Sequence, residues 1–359
     1  MAINRLYHNW QKKIMQLRPK ERITRVRNMA WLMTGIFESK SVYLSKVATK
    51  IPSQAKTPSL TRRMRRFLDN GAVRVREWYA PIALDLLQAA ANSVREIRLI
   101  IDPTKVSAGF QKLGLCLAFR RRALPITWTW LKGAKGHSST RVQLALLAYV
   151  SKLIPIDIPV SLVGDTEFES GKVIQKLEKW GWRYVLSQKP NNQVKIPGQE
   201  GWQDFGDLVQ RPGERRWVAG ALLTRKYALP VNLLVYWKIG EEHPWLLATN
   251  FQSQRAALQA YKRRMWIDES FGDLKGHGFD LEKTRLRHFL RLSRLVLAVA
   301  LLYVWLATKG SQVIKQGKRH LVDRSDRRDL SIFQIGLRFV DRLLTNGETF
   351  SIRLWPYFS

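Results

Sequence analysis

Between Ile97 and Lys189 the hydrophobic pattern changes period several times, and few folds accommodate that order. IRLIID (97–102) reads as a short buried strand ending in an acid. LGLCLAF and ALPITWTWLKG, the latter ending at Gly133, read as two further strands around an Arg120-Arg121-Arg122 turn. A helix follows at STRVQLALLAYVSKLI, with Val142, Leu146, Val150 and Leu153 on one stripe. Then come the strand VSLVGD (160–165), the helix ESGKVIQKLEKWG and the strand RYVLSQK. The order is βββαβαβ.

A three-strand meander followed by alternating helices and strands is the arrangement of a ribonuclease-H-like α/β core, here with its first part at 93–189. Residues 190–252 interrupt it with Pro, Gly and Trp clusters and β-like runs such as RWVAGALLTRKY and PVNLLVYWKIG, which predicts an inserted, mostly β subdomain. Helical periodicity returns in SQRAALQAYKRRMWIDESFGDLK and LEKTRLRHFLRLSRLVLAVALLYVWLA, giving a second part of the catalytic core with an acidic helix at 253–310. Residues 1–92 read as a helical DNA-binding region, with a break at Gly35–Ser41 that makes a helix-turn-helix. Residues 311–359 read as a helical tail built on the amphipathic SIFQIGLRFVDRLL. No internal repeat is evident.

Charge narrows the function. The 359 residues carry 61 Lys+Arg against 28 Asp+Glu, a formal net charge of +33. Self-repulsion on this scale does nothing for folding, so a polyanionic partner is implied, nucleic acid ahead of an anionic membrane. The basic residues are interleaved with 45% hydrophobic content and 14 Trp rather than set in tails, as befits a folded nucleic-acid-handling domain. TRRMRRFLDNGAVRVREWYAP packs six Arg into fifteen positions with Asp69 opposing them, and Arg62, Arg63, Arg65 and Arg66 are candidates for phosphate contact with double-stranded DNA. The single cysteine, Cys116, lies in an apolar run and cannot form an internal disulfide; a buried, inert thiol and a reducing cytoplasmic setting are expected. Six scattered His without Cys pairs offer no zinc-finger ligand set. MAINRLYHNWQKK lacks the apolar core of a signal peptide, and the longest apolar run, Leu295–Ala307, is too short to cross a bilayer. No membrane partner is expected.

In a core of this order Asp102 and Asp165 stand at the ends of neighbouring strands, and an acid on a later helix completes a cluster. Clustered carboxylates repel unless a cation sits between them, and hard oxygen ligands select Mg²⁺ or Mn²⁺. Two such ions about 4 Å apart can activate an attacking oxygen and stabilise a leaving one in phosphoryl transfer. The acidic helix is YKRRMWIDESFGDLKGHG, 261–278. With Tyr261 at zero on a helical wheel of about 100° per residue, Arg264 falls near 300°, Asp268 near 340° and Lys275 near 320°. Ile267, Phe271 and Leu274 lie beside them at roughly 220–280°, so an apolar stripe can be buried next to a polar one. Glu269 points elsewhere, at about 80°. Helix geometry favours Asp268 as the third acid, whereas side-chain reach favours Glu269, given a local rotation or π-bulge.

These residues resemble the bacterial DDE transposases of the insertion-sequence-4 family, whose hallmark is Tyr, two residues, Arg, three residues, Glu, six residues, Lys. Tyr261, Arg264, Asp268 and Lys275 stand at those spacings, with Asp in place of Glu. VGDTEF around Asp165 and LIIDPTKV around Asp102 are similar to the family's two aspartate segments, and the likeness covers roughly residues 95–310. The resemblance implies metal-dependent excision and strand transfer at terminal inverted repeats, through a hairpin on the element's end, with Asp102, Asp165 and Asp268 holding two ions. It also implies that Tyr261, Arg264 and Lys275 bind the phosphate next to the end and that Trp245, in HPWLLATN, stacks on a flipped base. A homodimer would pair two ends before joining them to target DNA, in a bacterial cytoplasm and on its nucleoid. The Glu-to-Asp departure keeps a second possibility open, a catalytically weakened relic acting as a sequence-specific DNA-binding protein. A general ribonuclease-H-like nuclease is a third, and it would not need Tyr261 or Trp245.

Overall fold

The computed structural model describes residues 2–107, 109–132 and 138–358; Gly133, the expected end of the third strand, lies outside them. Five helices come first: α1 (Ala2–Leu17), α2 (Ile23–Ser39), α3 (Leu44–Thr49), α4 (Thr57–Asp69) and α5 (Val75–Val94). Gly35 does not break α2. The helix continues to Ser39 and ends at Lys40, which adopts a left-handed conformation at φ 49°. Gly35 instead lets α3 approach, since a Cβ there would meet Val47 Cγ1 at 2.6 Å.

The sheet begins with β1 (Ile97–Ser107), β2 (Phe110–Phe119) and β3 (Arg122–Lys132), an antiparallel meander. It continues through α6 (Thr140–Ser151), β4 (Val160–Gly164), α7 (Gly171–Lys179) and β5 (Arg183–Ser187), with β4 parallel to both β1 and β5. The strands of 190–252 do not form a sheet of their own. β6 (Gln193–Lys195), β7 (Gln203–Asp204), β8 (Arg215–Leu223), β9 (Leu229–Tyr236) and β10 (Trp245–Thr249) extend the same ladder, in the order β3-β2-β1-β4-β5-β10-β9-β8-β6-β7. The reason is the edge of β5, whose backbone donors and acceptors need partners and receive them from antiparallel β10.

Alternation along the strands sorts side chains onto two faces. Ile97, Leu99 and Ile101 join a large core with the N-terminal helices, whereas Ile100, Val163, Val185 and Leu247 join a smaller one. That smaller core is closed by α8 (Gln254–Lys262) and α9 (Met265–Leu274). The chain then forms α10 (Phe289–Lys315) and α11 (Ile332–Thr345). By length and composition α10 could cross a membrane, being longer than its central apolar run, but 78% of its most apolar window is buried inside the protein. It also runs past residue 310, the expected end of the core's second part, to Lys315. The tail helix packs directly on it: a Cβ on Gly336 would lie 1.9 Å from Leu306 O, and one on Gly310 1.9 Å from Ile332 O.

Candidate active site

The first acid sits where two parallel strands part. β1 does not stop at Asp102, because Thr104 still pairs with Lys112 of β2. On its other side the ladder to β4 ends at Ile101 and Gly164, and Pro103 has no N–H to continue it. Asp102 and Asp165 are therefore the next residues along the two separating strands. Chain direction also reverses here, since β1 leads to β2 on one side and β4 to β5 on the other. Open α/β sheets bind ligands in such a crevice, beyond the strand ends at a topological switch point. Asp165 also accepts a hydrogen bond from Glu167 N at 3.0 Å, capping the turn at Thr166–Phe168.

Period two places the other residues on the same side. Asp102 shares a face with Ile100, Asp165 with Val163, Ser187 with Val185 and Trp245 with Leu247, and this is the face that α8 and α9 cover. The sequence predicts one helix over 253–275; the structure has two. The N–H groups of Arg263 and Arg264 bond the carbonyls of Ala260 and Tyr261, three residues back, at 3.1 and 2.8 Å, which tightens the chain into a turn. Arg264 keeps helical dihedrals through that turn and still reaches Asp268 one turn on. Its Nη1 lies 3.6 Å from Asp268 Oδ2 and 3.8 Å from Asp102 Oδ1. Burial works against its charge, but Tyr261, Asp102, Asp268 and Asp165 together outweigh burial and hold the guanidinium above its ordinary pKa.

Tyr261 is buried, its hydroxyl bonded to Ser187 and close to Arg264 and Asp165; burial raises its pKa. Trp245 packs edge-on against it, ring centroids 5.1 Å apart, and is itself half-buried. Lys275 leaves the wheel. At that residue α9 becomes a π-turn over Lys275–Phe279, and the ammonium lies 2.6 Å from Glu282. Glu269 lies outside the cluster, with its side chain 62% exposed and 3.6 Å from Arg122 Nη1. Asp268, 46% exposed on its side chain, faces Arg264 instead.

Two anchors hold α9 in place. Ser270 Oγ accepts from Ala123 N at 2.6 Å, and the buried Asp273 takes Arg122 Nε at 2.6 Å and Ser331 Oγ at 3.0 Å. Sequence reasoning missed these and Ser187, because none belongs to a spaced motif. It also missed Lys112, a buried cation over Phe271 and near Lys275, whose only trace was a lone Lys before the LGLCLAF run. Burial lowers the pKa of that lysine. Of the four arginines singled out on α4, Arg62, Arg65 and Arg66 are exposed, while Arg63 is tied down through Nε to Asn28 Oδ1 at 2.7 Å. The helix turns Leu60, Met64, Phe67 and Leu68 inward, so its arginines must lie outward or at the margin.

Carboxylates beside a partly buried guanidinium at a sheet switch point, on a chain with a formal net charge of +33, are an arrangement compatible with phosphate esters of a polyanion. Residues 96–305 match the family model described as the transposase DDE domain, and the chain belongs to that family. It is a DDE transposase, a DNA-acting enzyme of a kind that uses divalent metal ions. No curated protein matches it. Among solved structures, the piggyBac transposase synaptic complex with hairpin DNA aligns over 96% of this chain and 78% of that one, at 12% identity and a TM-score of 0.45.

The donor set suits such ions, since Asp102, Asp165 and Asp268 are hard oxygen ligands. Among the described residues no three His, Cys, Asp or Glu side chains converge tightly enough to hold one, and Arg264 lies between two of the acids.

Proposed function

We propose that the chain is an insertion-sequence-4-type transposase with a ribonuclease-H-like core, cutting an element at its terminal inverted repeats through a hairpin and joining it to target DNA. The observation that carries this reading is the convergence of Asp102, Asp165, Tyr261, Arg264 and Asp268 on one face, with Trp245 at the rim. The strand order β3-β2-β1-β4-β5, with parallel pairing across β1, β4 and β5, supports the core assignment.

Asp102, Asp165 and Asp268 would hold two Mg²⁺ or Mn²⁺ ions, which when bound supply charge neutralisation at the attacking and leaving oxygens. The remaining work belongs to the side chains. Arg264 offers a planar fork to the phosphate beside the scissile bond, and Lys275 a point charge once a phosphate replaces Glu282. Tyr261, held by Ser187, fixes the position of Arg264 and supports the Trp245 ring. Trp245 offers a stacking platform for a base leaving the duplex. The exposed Arg62, Arg65 and Arg66 of α4 contact the backbone of the end, and a dimer pairs two ends.

The test is cleavage of a linear duplex carrying the native element's end, with Mg²⁺, read on a denaturing gel. Wild type should give hairpinned ends, and Asp102→Ala and Asp165→Ala should give none while binding the end with affinity within about threefold of wild type, given that direct base and phosphate contacts lie elsewhere. An Asp102→Ala protein that still cuts sinks the assignment of the acids.

A further inference from the structure

α9 has a second charged side. Asp268 faces the crevice, but Glu269 faces a cleft of about 680 Å³ bounded by the β2–β3 hairpin, the end of α8, the start of α9 and the segment leading into α11. Six of its lining residues are cationic, Arg120, Arg121, Arg122, Lys262, Arg319 and Arg328, against the acids Glu269 and Asp329. Two of the cations are fixed walls: Arg122 by Asp273, and Arg319 by Asp323 at 2.7 Å. Arg121, Lys262 and Arg328 are exposed. Trp266 and Met265 add apolar surface at the same mouth.

The hairpin turn is an independent sign. Phe119 pairs with Arg122, so Arg120 and Arg121 alone make the turn, with φ of 42° and 62°. A two-residue turn of this kind favours Asn-Gly, because left-handed backbone is strained for a residue with a long side chain. Two arginines there are poor for the fold. They do set two long cations at the tip of a rigid ribbon, facing the cleft.

We infer that this cleft is a second DNA-backbone site, separate from the acid face, which grips phosphates of the duplex away from the scissile bond. The inference rests on the DNA-handling reading above, but not on the assignment of the acids. Arg120 stands six residues along β2 from Gly114, the pairing partner of Asp102, which is about 20 Å, or roughly six base-pair steps at 3.4 Å. A duplex engaged at Asp102 can thus place its flank in the cleft, or the cleft can hold target DNA. Both are the same ligand chemistry, a run of phosphodiesters.

The experiment uses the full chain with Arg121→Glu, Lys262→Glu and Arg328→Glu combined. Without metal, fluorescence anisotropy reads its affinity for three duplexes: a bare element end, an end with flank, and an unrelated target duplex. At least a tenfold loss is expected for one of the last two, with a salt-dependence slope shallower by about 0.9 per phosphate contact removed and the bare end unaffected. Loss on the flanked end assigns the donor flank. Loss on the unrelated duplex, together with reduced joining of pre-cut ends, assigns target DNA. Unchanged affinity for all three overturns the inference. As a second variant, Arg120→Asn with Arg121→Gly should raise Tm yet weaken the same duplex; a higher Tm with unchanged binding also overturns it. A wild type that binds DNA but never cuts would sink the catalytic reading and leave this one standing, because binding is measured without cleavage.

Discussion

Arg264 bridges to Asp102, its Nη1 3.8 Å from the Oδ1 of an acid that is 2% exposed, and the same nitrogen reaches Asp268. One guanidinium thereby links the middle of β1 to the first turn of α9. It sets a positive charge within 4 Å of both carboxylates, which favours their ionised forms.

That arrangement predicts competition between Arg264 and a divalent ion. Arg264→Ala removes the counter-charge, so Tm without metal should fall. Mn²⁺ should then raise Tm further in the variant than in wild type, since ligand stabilisation grows with affinity for the folded state. Cleavage should drop on the order of 10²-fold, as for loss of one preorganised charge-stabilising donor. Equal Mn²⁺ protection in the two proteins would exclude the competition.

Asp268 and Glu269 should behave oppositely. Asp268→Ala should lose cleavage of the end, and Glu269→Ala should keep it within a few-fold, because Glu269 pairs with Arg122 outside the crevice. A gel on which only Glu269→Ala is inactive would reverse the assignment of the third acid.

Trp245→Ala should leave the first nick intact and slow the hairpin. Loss of one base–aromatic stack amounts to about 1–3 kcal/mol, or roughly 5- to 150-fold in the hairpin step. Trp245→Phe should recover most of it. If the two steps slow equally in Trp245→Ala, the ring acts through packing on Tyr261 and not on DNA.

Cys116 gives a pH signature. Burial pushes its thiol up to about 12, with Lys112 opposing and Asp102 reinforcing the shift. An unfolded thiol ionises near 8.5, so above that pH the unfolded chain binds fewer protons than the folded one. The stabilising difference is present in full below about pH 8.5 and is lost as pH rises through about 12. Denaturant titrations of wild type and Cys116→Ala should therefore diverge in slope against pH only above about 8.5. In native protein at pH 8, a thiol reagent should react only at the rate of unfolding.

Gly336→Ala tests the docking of the tail. The new Cβ meets Leu306 O, backbone that cannot swing aside, so α11 must move off α10. A loss of about 1–3 kcal/mol is expected by chemical denaturation, as for overpacking elsewhere. A neutral outcome would mean that α11 contributes little to the folded core.

The order βββαβαβ, the strand alternation that puts Asp102 and Asp165 on one face, and the buried nature of Cys116 and α10 all follow from local patterning, because period and burial are properties of neighbours in sequence. So does the spaced Tyr261, Arg264, Asp268 set, which reaches one cluster although its helix divides at Arg263. What local patterning could not decide is where long-range hydrogen bonds and charges close. The free edge of β5 recruits the strands of 190–252 into one sheet, the π-turn at Lys275 turns that lysine toward Glu282, and Asn28 draws in Arg63. The surroundings of Glu269 are of the same kind. Arg264 stands just before α9 and meets Asp268 one turn on, as the helical spacing implies, whereas Arg122 belongs to β3 and reaches Glu269 only when the sheet and its helices assemble.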